Sequence, residues 1–126
     1  MKLLLDSHVL LWWFAGSRKL GERARTLITA PDADLFVSAA SWWELAIKKS
    51  LNRLSVDWSS ARAILEKNEI EMISVTFDHA DVAAVLPAHH SDPFDRMLVA
   101  QASREGLKLL TRDKKLQAYG ASVLYV

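Results

Sequence analysis

Lys2-Leu3-Leu4-Leu5-Asp6-Ser7-His8-Val9-Leu10-Leu11-Trp12 decides how the rest of the chain is read. Lys2–Leu5 is a short apolar run with no polar alternation, which suits a strand buried on both faces. A helix is expected over Ser7–Phe14, broken by Gly16-Ser17. Working outward, further strands are expected at Leu35–Ser38, Glu71–Val75, Leu107–Leu110 and Ser122–Val126. Helices are expected at Leu20–Ala30, Ser41–Leu51, Ser59–Asn68, Asp78–Leu86, Pro93–Glu105 and, in short form, Asp113–Gln117. Short apolar strands alternating with helices predict an α/β chain with a parallel sheet covered on both faces. Ligand sites in such sheets lie beyond the carboxyl ends of the strands.

Composition narrows the classes. The 126 residues fit one domain, 1–126, and 51% hydrophobic against 25% charged residues excludes a disordered tail. The absence of cysteine removes disulfide frameworks, thiolate nucleophiles and thiolate metal sites. The longest strictly apolar run, Val9 to Ala15, is seven residues, against roughly 20 needed to cross a bilayer. Asp6 and His8 interrupt what could otherwise open a signal peptide. The expectation is a cytoplasmic protein without a membrane partner.

Four acids follow strands or open the next helix. Asp6 ends the first strand, and Glu44 lies early in the helix after the second. Asp95 sits in the first turn of the helix opened by Ser91-Asp92-Pro93, and Asp113 follows Leu109-Leu110-Thr111-Arg112. Each has a plain structural role open to it. Asp6 and Asp113 suit helix N-caps, Asp95 fits a capping arrangement with Asp92, and Glu44 is placed to pair with Lys48. In a parallel sheet, however, all four point toward one edge. Carboxylates gathered there repel one another unless a cation is present, and hard oxygen ligands favour magnesium or manganese.

The net charge is only +1, so the chain carries no overall polyanion signature. Its bases nevertheless gather near the acids: Arg96 beside Asp95, Arg112, Lys114 and Lys115 around Asp113, Lys48 and Lys49 one turn past Glu44. An acidic metal pocket rimmed by bases suits a phosphodiester, while ordinary surface neutralisation gives the same arrangement. Haloacid-type phosphatase chemistry needs a second Asp two residues after the first, and here Asp6-Ser7-His8 stands instead. Paired acids of a receiver domain and a glycine-rich phosphate loop are also lacking.

Taken in order, four stretches resemble the PIN-domain nucleases, and within them the VapC-type toxins of toxin–antitoxin pairs. They are Leu3-Leu-Leu-Asp6-Ser-His-Val-Leu-Leu-Trp12, Val37-Ser-Ala-Ala-Ser-Trp-Trp-Glu44-Leu-Ala-Ile-Lys48, Leu86-Pro-Ala-His-His-Ser-Asp-Pro-Phe-Asp95-Arg-Met-Leu-Val-Ala-Gln-Ala102 and Leu109-Leu-Thr-Arg-Asp113. The resemblance implies a PIN-like three-layer α/β/α fold with a four- to five-stranded parallel sheet. It implies that Asp6, Glu44, Asp95 and Asp113 hold Mg2+ or Mn2+ and cleave single-stranded RNA with metal-activated water. Thr111 would support the site, and Arg96 and Arg112 would support it or face phosphate. The implied partners are a second copy of the chain and a small antitoxin. A non-catalytic RNA-binding PIN module and a PIN nuclease of RNA processing are the alternatives. Where many relatives carry a glycine after the Glu helix, this chain has Leu51-Asn52-Arg53, and Asn52 can supply the left-handed turn.

Two features are left over. His89 and His90 precede the Asp-Pro-Phe-Asp block, but a catalytic histidine needs a partner that sequence alone does not reveal. Trp12-Trp13 and Trp42-Trp43 form adjacent pairs whose members diverge by about 100° on a helix. One member of each pair can therefore enter the core while the other reaches an interface.

Overall fold

The computed structural model describes residues 1–126. Five strands alternate with six helices: β1 (Lys2–Leu5), α1 (Ser7–Ala15), α2 (Glu22–Thr29), β2 (Asp34–Ser38), α3 (Ala39–Ser50), α4 (Ala61–Lys67), β3 (Glu71–Ile73), α5 (Phe77–Val85), α6 (Pro93–Glu105), β4 (Lys108–Thr111) and β5 (Val123–Tyr125). Short 3-10 turns occupy Arg18–Leu20, Trp58–Ser60 and Lys114–Tyr119. All pairings are parallel and the strand order is β3-β2-β1-β4-β5.

β1 is the central strand, and its side chains explain why it is apolar throughout. Leu3 and Leu5 enter a core with Val9, Leu10, Leu20, Val37 and Leu45. Leu4 points to the opposite face, against Leu98, Val99, Ala102 and Leu109. Period-two alternation thus places hydrophobic cores on both sides of the sheet. The chain moves from β1 to β2 and β3 on one side, then returns to β4 on the other. The strand order reverses between β1 and β4, which is where open α/β sheets form a crevice.

Element boundaries shift for local reasons. The helix expected from Leu20 begins at Glu22, because Gly21 takes φ +80° and separates it from the preceding 3-10 turn. α3 starts at Ala39 instead of Ser41, since Ser38 Oγ accepts the Ala40 N–H and caps it two residues earlier. The strand expected over Glu71–Val75 ends at Ile73, where β2 ends opposite it at Ser38. The strand expected over Leu107–Leu110 lies at Lys108–Thr111, which places Thr111 inside the sheet. After α3, Asn52 adopts φ +56° and supplies the left-handed turn.

Candidate metal centre

The acidic cleft begins with sheet register. Leu5 lies opposite Leu110, so Asp6 and Thr111, each one residue further on, emerge side by side at the reversal point. The Asp6 N–H donates to Leu110 O at 3.2 Å, extending the ladder by one bond. The Asp6 carboxylate accepts the Val9 N–H at 2.8 Å, capping α1, and also accepts the Thr111 hydroxyl. Asp6 is therefore both an N-cap and a wall of the cleft. It is buried, and burial holds its pKa above the usual carboxylate range despite the Thr111 and Val9 hydrogen bonds.

Thr111 turns toward a second acid. Its Oγ1 accepts the Asp113 N–H at 3.0 Å, so one hydroxyl links the main chain at Asp113 to the carboxylate of Asp6. Asp113 in turn caps the following 3-10 turn, accepting the Lys115 N–H at 3.0 Å on Oδ1. Its Oδ2 faces His90 Nε2 at 2.8 Å. Burial pushes the Asp113 pKa up, but the His90 hydrogen bond, the Lys115 N–H and nearby positive charge outweigh it and leave the group lowered.

Asp95 approaches from the other side of the cleft. Asp92 caps α6 through the Phe94 and Asp95 N–H groups, at 2.8 and 3.1 Å, and Pro93 opens the helix without a donor to satisfy. That cap fixes the turn bearing Asp95. Burial, Asp92 and Asp6 push the Asp95 pKa up to about 7; His90 opposes the shift and Glu44 adds to it. Sheet register, the Thr111 hydroxyl and His90 set Asp6, Asp113 and Asp95 around the carboxyl ends of β1 and β4, and Glu44 is joined to the first turn of α1 through the Ser7 hydroxyl. Glu44 accepts the Ser7 hydroxyl at 2.5 Å and lies 3.7 Å from Lys48. Its helical ion pair therefore coexists with its place at the cleft.

Whether these residues suit a cation can be judged from charge balance. No Lys or Arg lies within 4.0 Å of the carboxylates of Asp6, Asp95 or Asp113, and Lys48 on Glu44 is the one such pair in the group. The donors are hard oxygens, and burial together with the negative Asp92 and Asp6 raises the Asp95 pKa to about 7. A divalent cation of the magnesium or manganese type fits that set. His90, Asp95 and Asp113 form the tightest part, their donor atoms all within 4.8 Å of one another. A cavity of about 370 Å³, lined by Asp6, His8, Trp12, Arg112, Asp113 and Lys114, opens beside it.

The basic residues divide. Arg96 does not face a phosphate site, because its guanidinium donates to the carbonyls of Ala83, Leu86, Pro87 and His90 and to the Tyr119 hydroxyl. It holds the loop between α5 and α6. Arg112 stays exposed at the cavity rim, tied by long 3.4 Å bonds to Leu20 O and Val126 O. His8 is exposed and leans on Trp12, with ring centroids 5.8 Å apart.

His90 is the residue that sequence reasoning left without a partner. Its signal was local: Nδ1 accepts the Asp92 N–H at 3.0 Å, a bond between residues i and i+2 just before the Asp-Pro cap. His89 packs edge-on against Tyr119 instead, at 5.1 Å. Trp43, one of the residues considered for the core, is 63% exposed and meets Phe94 at 5.4 Å. Trp43, Phe94, Val75 and Met97 line an apolar groove of about 590 Å³ between the helices that carry Glu44 and Asp95. Trp13 is half-buried against the core.

Comparison with known proteins agrees with this geometry. Residues 3–121 match the model of the PIN domain family. The chain is 32% identical over 123 residues to Ribonuclease VapC22 of Mycobacterium tuberculosis, covering 93% of this chain and 91% of the relative. Its fold is similar to that in the crystal structure of VapBC2 from Rickettsia felis bound to a DNA fragment from their promoter. There the TM-score is 0.71 at 13% identity, over 100% of this chain and 98% of the other. A toxin–antitoxin complex from Klebsiella pneumoniae gives a TM-score of 0.66 at 21% identity, over 97% and 95% of the two chains.

Proposed function

Because the chain belongs to the PIN-domain family, we propose that it is a divalent-metal-dependent endoribonuclease acting on single-stranded RNA, the toxin of a toxin–antitoxin pair. The observation that carries this reading is the gathering of Asp6, Glu44, Asp95 and Asp113 at the β1–β4 reversal with too few cations to balance them. The relative named as a ribonuclease supports it along nearly the whole chain. Asp6, Asp95 and Asp113 would hold Mg2+ or Mn2+, with Glu44 completing the acidic wall. The bound ion would polarise the phosphodiester and make water a stronger nucleophile at neutral pH.

The chain's own groups account for the rest. Thr111 fixes the Asp6 carboxylate and the main chain of Asp113. Arg112 and Lys114, at the cavity rim, would meet the RNA backbone from outside the acids. Burial of Asp6 keeps one wall of the cleft dry, which strengthens its hold on positive charge.

Two protein partners fit surfaces on the molecule. An antitoxin segment bearing an apolar side chain would occupy the Trp43–Phe94 groove, next to the acids it would block. A second copy would cover the α5 side, where Phe77 is 93% and Val85 81% exposed. The pair would act in the cytoplasm, with residues 1–126 working as one PIN domain.

Cleavage of a mixed RNA pool by purified protein tests the catalytic reading. With Mg2+ or Mn2+ the wild type should cut and with EDTA it should not, and Asp95→Asn should be inactive with either ion. Binding of the pool without cutting, under conditions where another nuclease cuts it, would favour the RNA-binding module instead.

A further inference from the structure

The segment between α5 and α6, residues 86–92, has no ladder to hold it, yet its polar groups are closely matched. Arg96 donates to Ala83 O, Leu86 O, Pro87 O and His90 O at 2.8, 3.0, 3.1 and 3.3 Å. The Tyr119 hydroxyl donates to Pro87 O at 2.7 Å and accepts the His90 N–H at 3.1 Å and Arg96 Nη1 at 3.3 Å. That uses its one donor and both lone pairs. The main chain of His90 is thus gripped by a helix on one side and by the turn after β4 on the other.

The ring is fixed as firmly. Nδ1 accepts the Asp92 N–H, so the hydrogen bond places a ring proton on Nε2. Nε2–H then donates to Asp113 Oδ2 at 2.8 Å and lies 3.4 Å from Asp95 Oδ2. Asp113 comes from the turn after β4 and Asp95 from α6, and His90 is the side chain that touches both.

We infer that His90 is a positioning residue that sets the Asp113 and Asp95 carboxylates in register for a shared divalent cation, and that Tyr119 and Arg96 hold it in place. The inference rests on the proposed metal-dependent reading. Its physical basis is preorganisation. The Asp113 side chain is 36% exposed, and without His90 its Oδ2 would lose its bond, leaving the carboxylate held only through Oδ1 by the Lys115 N–H. Ordering it would then have to accompany ion binding. With Nε2 protonated and directed at a carboxylate, His90 orients oxygen ligands and does not itself coordinate, as outer-shell partners of metal sites do.

Mn2+ binding, followed by loss of the free-ion electron paramagnetic resonance signal, tests this apart from catalysis. His90→Ala should weaken Mn2+ binding by about 10–100-fold, the range for loss of such a partner. Tyr119→Phe, which removes only one hydroxyl, should weaken it several-fold with the melting temperature nearly unchanged. His90→Gln, whose amide N–H can reach Asp113, should recover much of the loss. In RNA cleavage at saturating Mn2+, kcat should fall in His90→Ala while KM for RNA stays level. Wild-type affinity in His90→Ala or in Tyr119→Phe would overturn the inference, as would a pulsed-resonance coupling to a directly bound histidine nitrogen. Failure of wild type to bind Mn2+ would instead sink the metal-site reading, and this inference with it.

Discussion

Asp6 and Thr111 stand at the ends of two adjacent central strands and are sealed from solvent, whereas Asp95, Asp113 and His90 stand on a helix turn and two loops and keep partial access to it. On the strand side, parallel register alone brings the residues together, and a hydroxyl ties them. On the loop side, convergence depends on a cap, a guanidinium and a tyrosine hydroxyl. The difference separates two tasks. The strands supply a rigid, desolvated anchor, and the loops supply charge that remains accessible to an ion and to substrate.

Neutralising one acid on the accessible side should have the largest effect. Asp95→Asn keeps the shape and removes a charge, so cleavage should fall by at least about a thousandfold, the scale of losing several kcal/mol of metal-borne charge stabilisation. The same change removes a carboxyl that burial and its negative neighbours hold at about 7, so the metal-free variant should melt above wild type near neutral pH. Loss of activity together with a lower melting temperature would mean that Asp95 is structural.

The anchor should behave in the opposite way. Thr111→Val leaves Asp6 without its buried hydroxyl donor and the Asp113 N–H without its acceptor. A cost of about 1–3 kcal/mol is expected for buried groups left unpaired. Chemical denaturation would measure it, and a variant as stable as wild type would show that the strand side is not the anchor.

A pH series sharpens the contrast between Asp95 and Asp113. The folded-state pKa of Asp95, about 7, lies above its unfolded value, which is about 3.9. Its contribution to stability is therefore complete below the unfolded pKa and is lost as pH rises through about 7. Asp6, raised by burial, works in the same direction. Metal-free protein should melt at a lower temperature at about pH 8 than at about pH 5.5, and saturating Mn2+ should reverse the loss because it binds the ionised form. Asp113 has the opposite sign: its lowered pKa contributes stability above the ordinary carboxylate range, lost as pH falls through its folded value. Melting temperatures that do not change between about pH 5.5 and about pH 8, with and without Mn2+, would show that the Asp95 pKa is not raised toward neutrality.

The smallest effect is expected at Lys48. Its 3.7 Å pair with Glu44 is a partly exposed helical i,i+4 contact, worth about 0.3–0.5 kcal/mol. Lys48→Ala should leave stability nearly unchanged, and a large loss would make the pair part of the anchor.

These differences also explain what could be read from the sequence. Leu3, Leu4 and Leu5 announce a two-faced strand because burial on both sides leaves no polar alternation. From that, the parallel sheet and the placement of acids after strands follow; the structure sets Asp6 and Asp113 past the ends of β1 and β4, with Asp95 reached through His90 and Glu44 through Ser7. The strand order could not be read, since nothing local in β4 says that it pairs with β1 and not with β3. Nor could the role of Arg96, whose acceptors are main-chain carbonyls that carry no residue identity. His90 meets Asp113 across 23 positions, through a loop whose course depends on Tyr119. Long-range contacts of this kind leave only a faint local trace, here the Nδ1 bond to Asp92.

The most direct test of the account is anomalous scattering from crystals soaked with Mn2+ above neutral pH, where Asp95 is ionised. The account predicts a manganese peak within ligand distance of Asp6, Asp95 and Asp113 in wild type, absent in Asp95→Asn. No peak there in wild-type crystals at saturating Mn2+, with the cleft open to solvent, would contradict the claim that these acids form a cation site.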